Sequence, residues 1–338
     1  MVSSTRLYAW ADIDSEDWKS LLLGNGFSMN ICSGFGYRKL VDKAPLRPSA
    51  KQMFDSFDTT NFELVLERIH YAIQVINALG TSASDAALLA AEYNAIREAL
   101  FAAVGDTHIA HGEIPDETLD LFAQQLLRYT TVFTTNYDLL PYWALMNLTG
   151  GQGFTDLFRS SGNDLVFDST VANWNSGWTT VLYLHGGLHL WRDEWTGITG
   201  KWRANREAAA RLLDGLEGRY ADRPDRQPLL VSEGTSSHKN AAIQRSGYLS
   251  FALQRLISDT APLVVLGFSF SNSDKHIVDA IKAGASGGWI AIGLHVADST
   301  SGEIARDMAA LEVDCAGRTV VFFDAATHPL TASSLRVK

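Results

Sequence analysis

Polar residues capable of chemistry gather where four apolar runs stop: Gly24-Asn25-Gly26-Phe27-Ser28, Thr135-Asn136-Tyr137-Asp138, His185-Gly186-Gly187, and the turn from Gly267 through Ser269 to Asp274. Gly24 and Gly26 permit positive φ and let a ligand approach the backbone without a Cβ in the way. Free amides at a following helix N-terminus would then face an anion. The serine hydroxyls and amides of the 267–274 turn suit ribose or phosphate oxygens. Asn136 and Asp138 stand at the carboxyl end of a strand, where open α/β sheets bind ligands. His185, with an ordinary pKa of ~6.5, accepts a proton near neutral pH.

Each group also has a purely structural reading. GNGFS lacks the three spaced glycines and downstream acid of the full dinucleotide fingerprint, so it reads equally as a strand-to-helix turn. Asn136 or Asp138 can cap the helix that follows, the serine-rich turn can be a hydroxyl-stabilised turn with its own cap, and a lone histidine is commonly structural. What capping alone does not explain is the recurrence of such residues at four strand ends. His189 is a weaker candidate, because a two-histidine metal pair with His185 needs a helix that GGLHL does not form. No metal is expected.

These residues need strands to carry them to one edge. Leu21–Leu23, 130–136, 179–186, 228–234, 261–266, 287–296 and 318–323 read as buried strands, about seven in all, with a short one near 165–167. Residues 61–79, 85–104 and 116–129 carry apolar residues at three- and four-residue spacing and predict helices. About ninety residues therefore separate the first strand from the next, too many for a simple crossover, and they imply a helical insertion beside the sheet. Further helices are expected over 201–219, 238–259, after Asp274, and around 303–311. Residues 1–18 read as a lead-in or short helix, 33–40 as a loop or a cover over a ligand, and 147–178 as an irregular connection. The fold class is α/β, a doubly wound, mostly parallel Rossmann-like sheet with an inserted helical subdomain.

Composition narrows the partners. The 338 residues are 46% hydrophobic, enough for a large core. A formal net charge of -10 without any cationic run argues against duplex nucleic acid, so any anion is expected to be held locally by backbone amides. Two cysteines, Cys32 and Cys315, exclude a disulfide framework and a four-cysteine zinc site, and fit a reducing cytoplasm. No run approaches the ~20 apolar residues of a membrane span, and no secretory leader is read at the start. A soluble cytoplasmic protein with no membrane partner is expected.

The stretches LLLGNGFS, NFELVLERI, VFTTNYDLL, YLHGGLHL, VSEGTSSHK and GFSFSNSDKHI resemble the sirtuin-like family, most closely a bacterial sirtuin-like family that the chain resembles over nearly its full length. The resemblance implies a Rossmann-like domain of residues 1–40 and 130–338 that binds NAD, with residues 41–129 as the helical subdomain. By the same resemblance Gly24, Asn25, Gly26, Phe27 and Ser28 line the dinucleotide phosphates. Asn136 and Asp138 meet the nicotinamide ribose beside Thr135 and Gly186, His185 is the base, and Gly267, Ser269 and Asp274 contact the cofactor's other half. Protein deacylases of the superfamily hold a zinc on two CxxC pairs, which this chain lacks, so it looks more like the NAD hydrolases of antiphage defence. The implied activity is cleavage of NAD, as substrate, to nicotinamide and ADP-ribose. An NAD or ADP-ribose sensor or scaffold without turnover, or an ADP-ribosyltransferase or deacylase, stands as the alternative. A homo-oligomer or a sensor protein is the implied partner.

Overall fold

Leu21, Leu22 and Leu23 have no exposed surface, as a continuous apolar run requires when a parallel sheet is covered on both faces. The computed structural model describes residues 6–35, 40–60, 62–149, 152–173, 177–202, 211–213, 215–231, 235–284, 288–297 and 299–337. Its strands are β1 (Leu7–Tyr8), β2 (Ser20–Leu23), β3 (Thr131–Thr134), β4 (Phe154–Thr155), β5 (Phe158–Ser161), β6 (Asp164–Phe167), β7 (Thr179–Tyr183), β8 (Gly186–Asp193), β9 (Thr199–Lys201), β10 (Arg226–Leu230), β11 (Leu263–Leu266), β12 (Trp289–Leu294) and β13 (Thr319–Asp324).

Eight of them form one sheet in the order β1-β13-β12-β11-β2-β3-β7-β4, with every neighbouring pair parallel. From β2 the chain winds outward through β3 and β7; from β11 it winds the other way through β12 and β13. The direction reverses between β2 and β11, the switch point at which α/β sheets open a crevice. The topology is compatible with a doubly wound, Rossmann-like fold. Register levels the site edge: Leu23 lies opposite both Leu266 and Thr134, and Thr134 opposite Tyr183. Gly24, Gly267 and Thr135, which directly follow these strands, and His185, two residues past β7, therefore leave the sheet at one edge.

Between β2 and β3 the chain is helical in Asn25–Ile31, Leu40–Lys43, Pro48–Ser56, Phe62–Leu79, Ala83–Thr107 and Asp116–Leu126, the last three being the helices its periodicity predicts. On Phe62–Leu79 the inward face is Phe62, Val65, Leu66 and Ile69, all buried, at the spacing of one helical stripe. Of the segment read as loop or cover, Ser33–Phe35 is a 3-10 turn and 36–39 lie outside the described residues.

A second sheet was not expected. Five strands in the order β10-β8-β9-β6-β5 pair antiparallel; the connection over 147–178 holds the short strand read near 165–167, as β6, and also supplies β5 to this sheet and β4 to the parallel one. The strand foreseen at 228–234 is β10 and belongs to this sheet; 232–234 lie outside the described residues. In the stretch foreseen as a helix from 201 to 219, Lys201 ends β9 and the helix is Leu216–Asp222, with 203–210 and 214 outside the described residues. The helix foreseen over 238–259 is two, Ser236–Gln244 and Gly247–Ile257. Ser246 breaks it by taking an extended backbone and accepting the Leu249 amide at 3.3 Å, the geometry of an N-cap. Residues 7–8 join the sheet edge as β1, and Trp10 plugs the core against Phe323 and His328. Among the described residues no helix is long and apolar enough to cross a membrane.

Candidate functional site

Two buried polar networks stand side by side at the carboxyl edge of the parallel sheet. The first joins the β2 and β3 turns. Asn136 Nδ2 donates to the Gly24 carbonyl at 3.0 Å and to Ser28 Oγ at 2.8 Å; Ser28 Oγ donates to Asp138 Oδ2 at 2.6 Å. Because a carbonyl only accepts, the bond to Gly24 fixes which way the Asn136 amide faces. Oδ1 of Asn136 then accepts no hydrogen bond from another described residue. Asp138 Oδ1 accepts the Leu140 amide at 2.9 Å and so caps the Leu140–Thr149 helix, as its structural reading has it. Wholly buried, Asp138 has its carboxyl raised to about 6: burial drives the shift, and the bonds from Ser28 and Leu140 oppose it.

The second network centres on His185, between the last residue of β7 and the first of β8. Its backbone is pinned on both sides, by Leu184 N–H to the Thr134 carbonyl and by Val231 N–H to the His185 carbonyl, each at 2.8 Å. Nε2 of His185 lies 2.9 Å from Nε2 of His276 and 3.9 Å from Asp274 Oδ1. The far ring nitrogen of His276 meets Ser236 Oγ at 3.0 Å, and Lys239 Nζ donates to Asp274 Oδ1 at 2.7 Å. Burial, then the Lys239 charge, depress the His185 pKa to about 3 against the pull of Asp274 and a backbone hydrogen bond to Thr135. Burial likewise lowers His276 to about 4. Both imidazoles are neutral at pH 7 and keep a basic lone pair between them.

Residues 21–328 match the family described as a domain of unknown function, DUF4917. The chain belongs to that family. No curated protein matches it.

In this DUF4917 chain the structure brings Gly24, Ser28, Asn136 and Asp138 together as a unit. His185 is grouped with Asp274, which the sequence reading had placed with the other half of the dinucleotide. The two networks adjoin through Thr135, whose amide binds the Leu23 carbonyl at 3.0 Å while its backbone meets the His185 ring. Phe27 is fully buried and packs edge-on against Phe122, so its side chain serves the core. Asn25 donates to the Phe35 carbonyl at 3.0 Å, and its Oδ1 is buried without a partner among the described residues.

The glycines do different work from that foreseen. Gly24 is the N-cap of the Asn25–Ile31 helix with φ -108, and neither it nor Gly26 adopts positive φ. A Cβ on Gly24 would lie 2.5 Å from the Gly267 carbonyl oxygen, and one on Gly267, which does have positive φ, 2.2 Å from the Phe27 nitrogen. Glycine here lets the two turns touch backbone to backbone. The Gly26 and Phe27 amides are likewise taken up, by the carbonyls of Gly267 at 2.9 Å and Gly24 at 3.0 Å. Gly186, at φ 80, passes so close to Leu229 that a Cβ would overlap its carbonyl.

Beside the switch point lies a cavity of about 940 Å³, within the range of small-molecule sites. Gly26, Gly267 and Ser269 line it with Phe268, Phe270 and the end of β12; Asn136, Asp138 and His185 do not. A cavity of about 390 Å³ lies away from the strand ends, against Arg47, Phe101 and Leu213. His189 is a core residue, stacked on Tyr142 at 4.8 Å and edge-on to Tyr183. Sequence reasoning missed His276, Lys239 and Ser236. The signal was present in the NSDKH and SSHK runs, where a basic residue next to a helix start reads as solvated surface.

Proposed function

We propose that this protein is an NAD glycohydrolase, cleaving NAD to nicotinamide and ADP-ribose, and that its sirtuin-like motifs mark the reacting edge. The observation that carries the reading is the Asn136 amide, clamped by Gly24 and Ser28 with its Oδ1 accepting no bond from another described residue, at the ligand edge of a Rossmann-like sheet. Nicotinamide is a cationic leaving group, so the bond at the anomeric carbon breaks with its electron pair leaving on nicotinamide and an oxocarbenium-like ribose remaining. The site has to hold that cation and deliver water to it. Oδ1 of Asn136 orients the water or a ribose hydroxyl; Asp138, ionised above about pH 6, supplies negative charge behind Ser28.

Water that has added to the cation must lose a proton, and His185 is the nearby acceptor. At about 3 its pKa makes it a weak base, which suits a step in which deprotonation follows bond cleavage. The 940 Å³ cavity on the Gly267 side gives room for the rest of the dinucleotide, with Ser269 and the Phe268–Phe270 pair along its wall.

Binding of NAD or ADP-ribose without turnover is the rival reading. What favours it is that Asp138 and the Asn136 amide are already engaged within the protein. Rates separate the two. Nicotinamide release by the purified chain falls by roughly 100-fold or more in Asn136→Ala and in His185→Ala if these groups act as assigned. Equal rates in parent and variants overturn the assignment.

A further inference from the structure

We propose that His185, His276 and Asp274 form a binding site for a zinc-class transition-metal ion, and that an ion bound there takes the His185 lone pair out of use. Three donors from separate parts of the fold converge: His185 from the end of β7, Asp274 from the 3-10 turn Asn272–Asp274, and His276 from the Lys275–Ala283 helix. Their ligand atoms all lie within 4.8 Å of one another. The two Nε2 atoms face each other at 2.9 Å, where a tetrahedral zinc with ordinary Zn–N bonds would hold them about 3.3 Å apart. A few tenths of an ångström of ring movement separates the present geometry from a ligating one.

The far sides of both rings are already braced. His276 meets Ser236 Oγ through Nδ1 at 3.0 Å, and that same Oγ accepts the His276 backbone amide at 2.8 Å. The His185 ring is held by the Thr135 backbone. Imidazoles that bind metals carry such outer contacts, which fix the ring and its tautomer. Two imidazoles and one carboxylate suit zinc, copper, nickel or iron rather than calcium or magnesium, and three protein ligands leave a fourth position open.

Lys239 is the competitor. Its ammonium, itself buried, sits 2.7 Å from Asp274 Oδ1, so it holds the carboxylate that a metal would share. The inference goes beyond NAD cleavage. Only its consequence for His185 rests on that reading, and metal binding is measured without turnover, so the two fail separately.

The test is calorimetric titration of the chelator-stripped full chain with ZnCl2, paired with visible absorption of the Co2+ form. One equivalent is expected to bind the parent. Because the chain has nine histidines, His276→Gln and His185→Gln place the ion, each expected to weaken binding at least about 100-fold. Lys239→Met is expected to tighten it about tenfold by removing a like charge. No stoichiometric metal in the parent, or unchanged affinity in both histidine variants, overturns the proposal. Should a histidine variant fail to fold, Lys239→Met carries the test, and unchanged affinity there overturns it.

Discussion

Asp138→Asn should change how stability responds to pH, in a direction fixed by burial. The Asp138 carboxyl is wholly buried, and its pKa rises from 3.8 to about 6 in the folded protein. Between these values the native state holds a proton that the unfolded chain releases. The stabilisation is fully present below the unfolded value and is lost as pH rises through about 6. At roughly 1.4 kcal/mol per pKa unit the total loss is about 3 kcal/mol, of which about half falls between about pH 5 and 7.5. Asparagine keeps an acceptor for the Leu140 amide and is as good a cap as aspartate, but it carries no titrating charge. Urea denaturation of parent and variant across this range, with the two profiles subtracted, cancels the other titrating groups. The variant is expected to gain on the parent by about 1.4 kcal/mol from about pH 5 to 7.5. A flat difference profile, or one in which the variant loses ground as pH rises, would show that the buried carboxylate is not under strain and refute the reasoning.

Ser28→Ala removes the hydroxyl that links Asn136 to Asp138 and holds the carboxyl pKa down. The acid limb of nicotinamide release against pH is expected to move upward, and an unmoved limb would count against Asp138 as the group that titrates. Gly267→Ala and Gly24→Ala drive a Cβ into backbone of the neighbouring turn, and thermal or urea melts should show each destabilised by more than about 2 kcal/mol. Gly105→Ala is the contrast: its Cβ meets nothing within 4 Å in the Ala83–Thr107 helix, so the same melts should show a gain of about 0.5–1 kcal/mol. Loss of stability there would contradict the open surroundings at Gly105.

The parallel sheet was legible because its strands are short, wholly apolar runs such as Leu21–Leu23 and Leu263–Leu266, bounded by glycine. The helical insertion was legible because Phe62, Leu66 and Ile69 recur on one face. The second sheet was hidden. The β5 strand, Phe158–Ser161, is mostly exposed and β8 carries Gly186, Gly187 and His189, so neither alternation nor a continuous apolar run marks these two, while β6 and β10 read as strands without any sign that they belong to a sheet of their own. Within the site, Asn136 and Asp138 were readable from their place at a strand end. Their link through Ser28 spans more than a hundred residues of chain, which spacing does not reveal. The same limit concealed His276 and Lys239, whose partners His185 and Asp274 come from other elements. Nor does spacing show that Gly24 and Gly267 are glycine because a Cβ on either would meet the backbone of the opposite turn.

Product balance on the unmodified protein tests the central claim most directly. Purified chain incubated with NAD and resolved by chromatography is expected to lose NAD while nicotinamide and free ADP-ribose appear in equal amounts. Intact NAD, or nicotinamide released without matching free ADP-ribose, would contradict hydrolysis at the Asn136 edge.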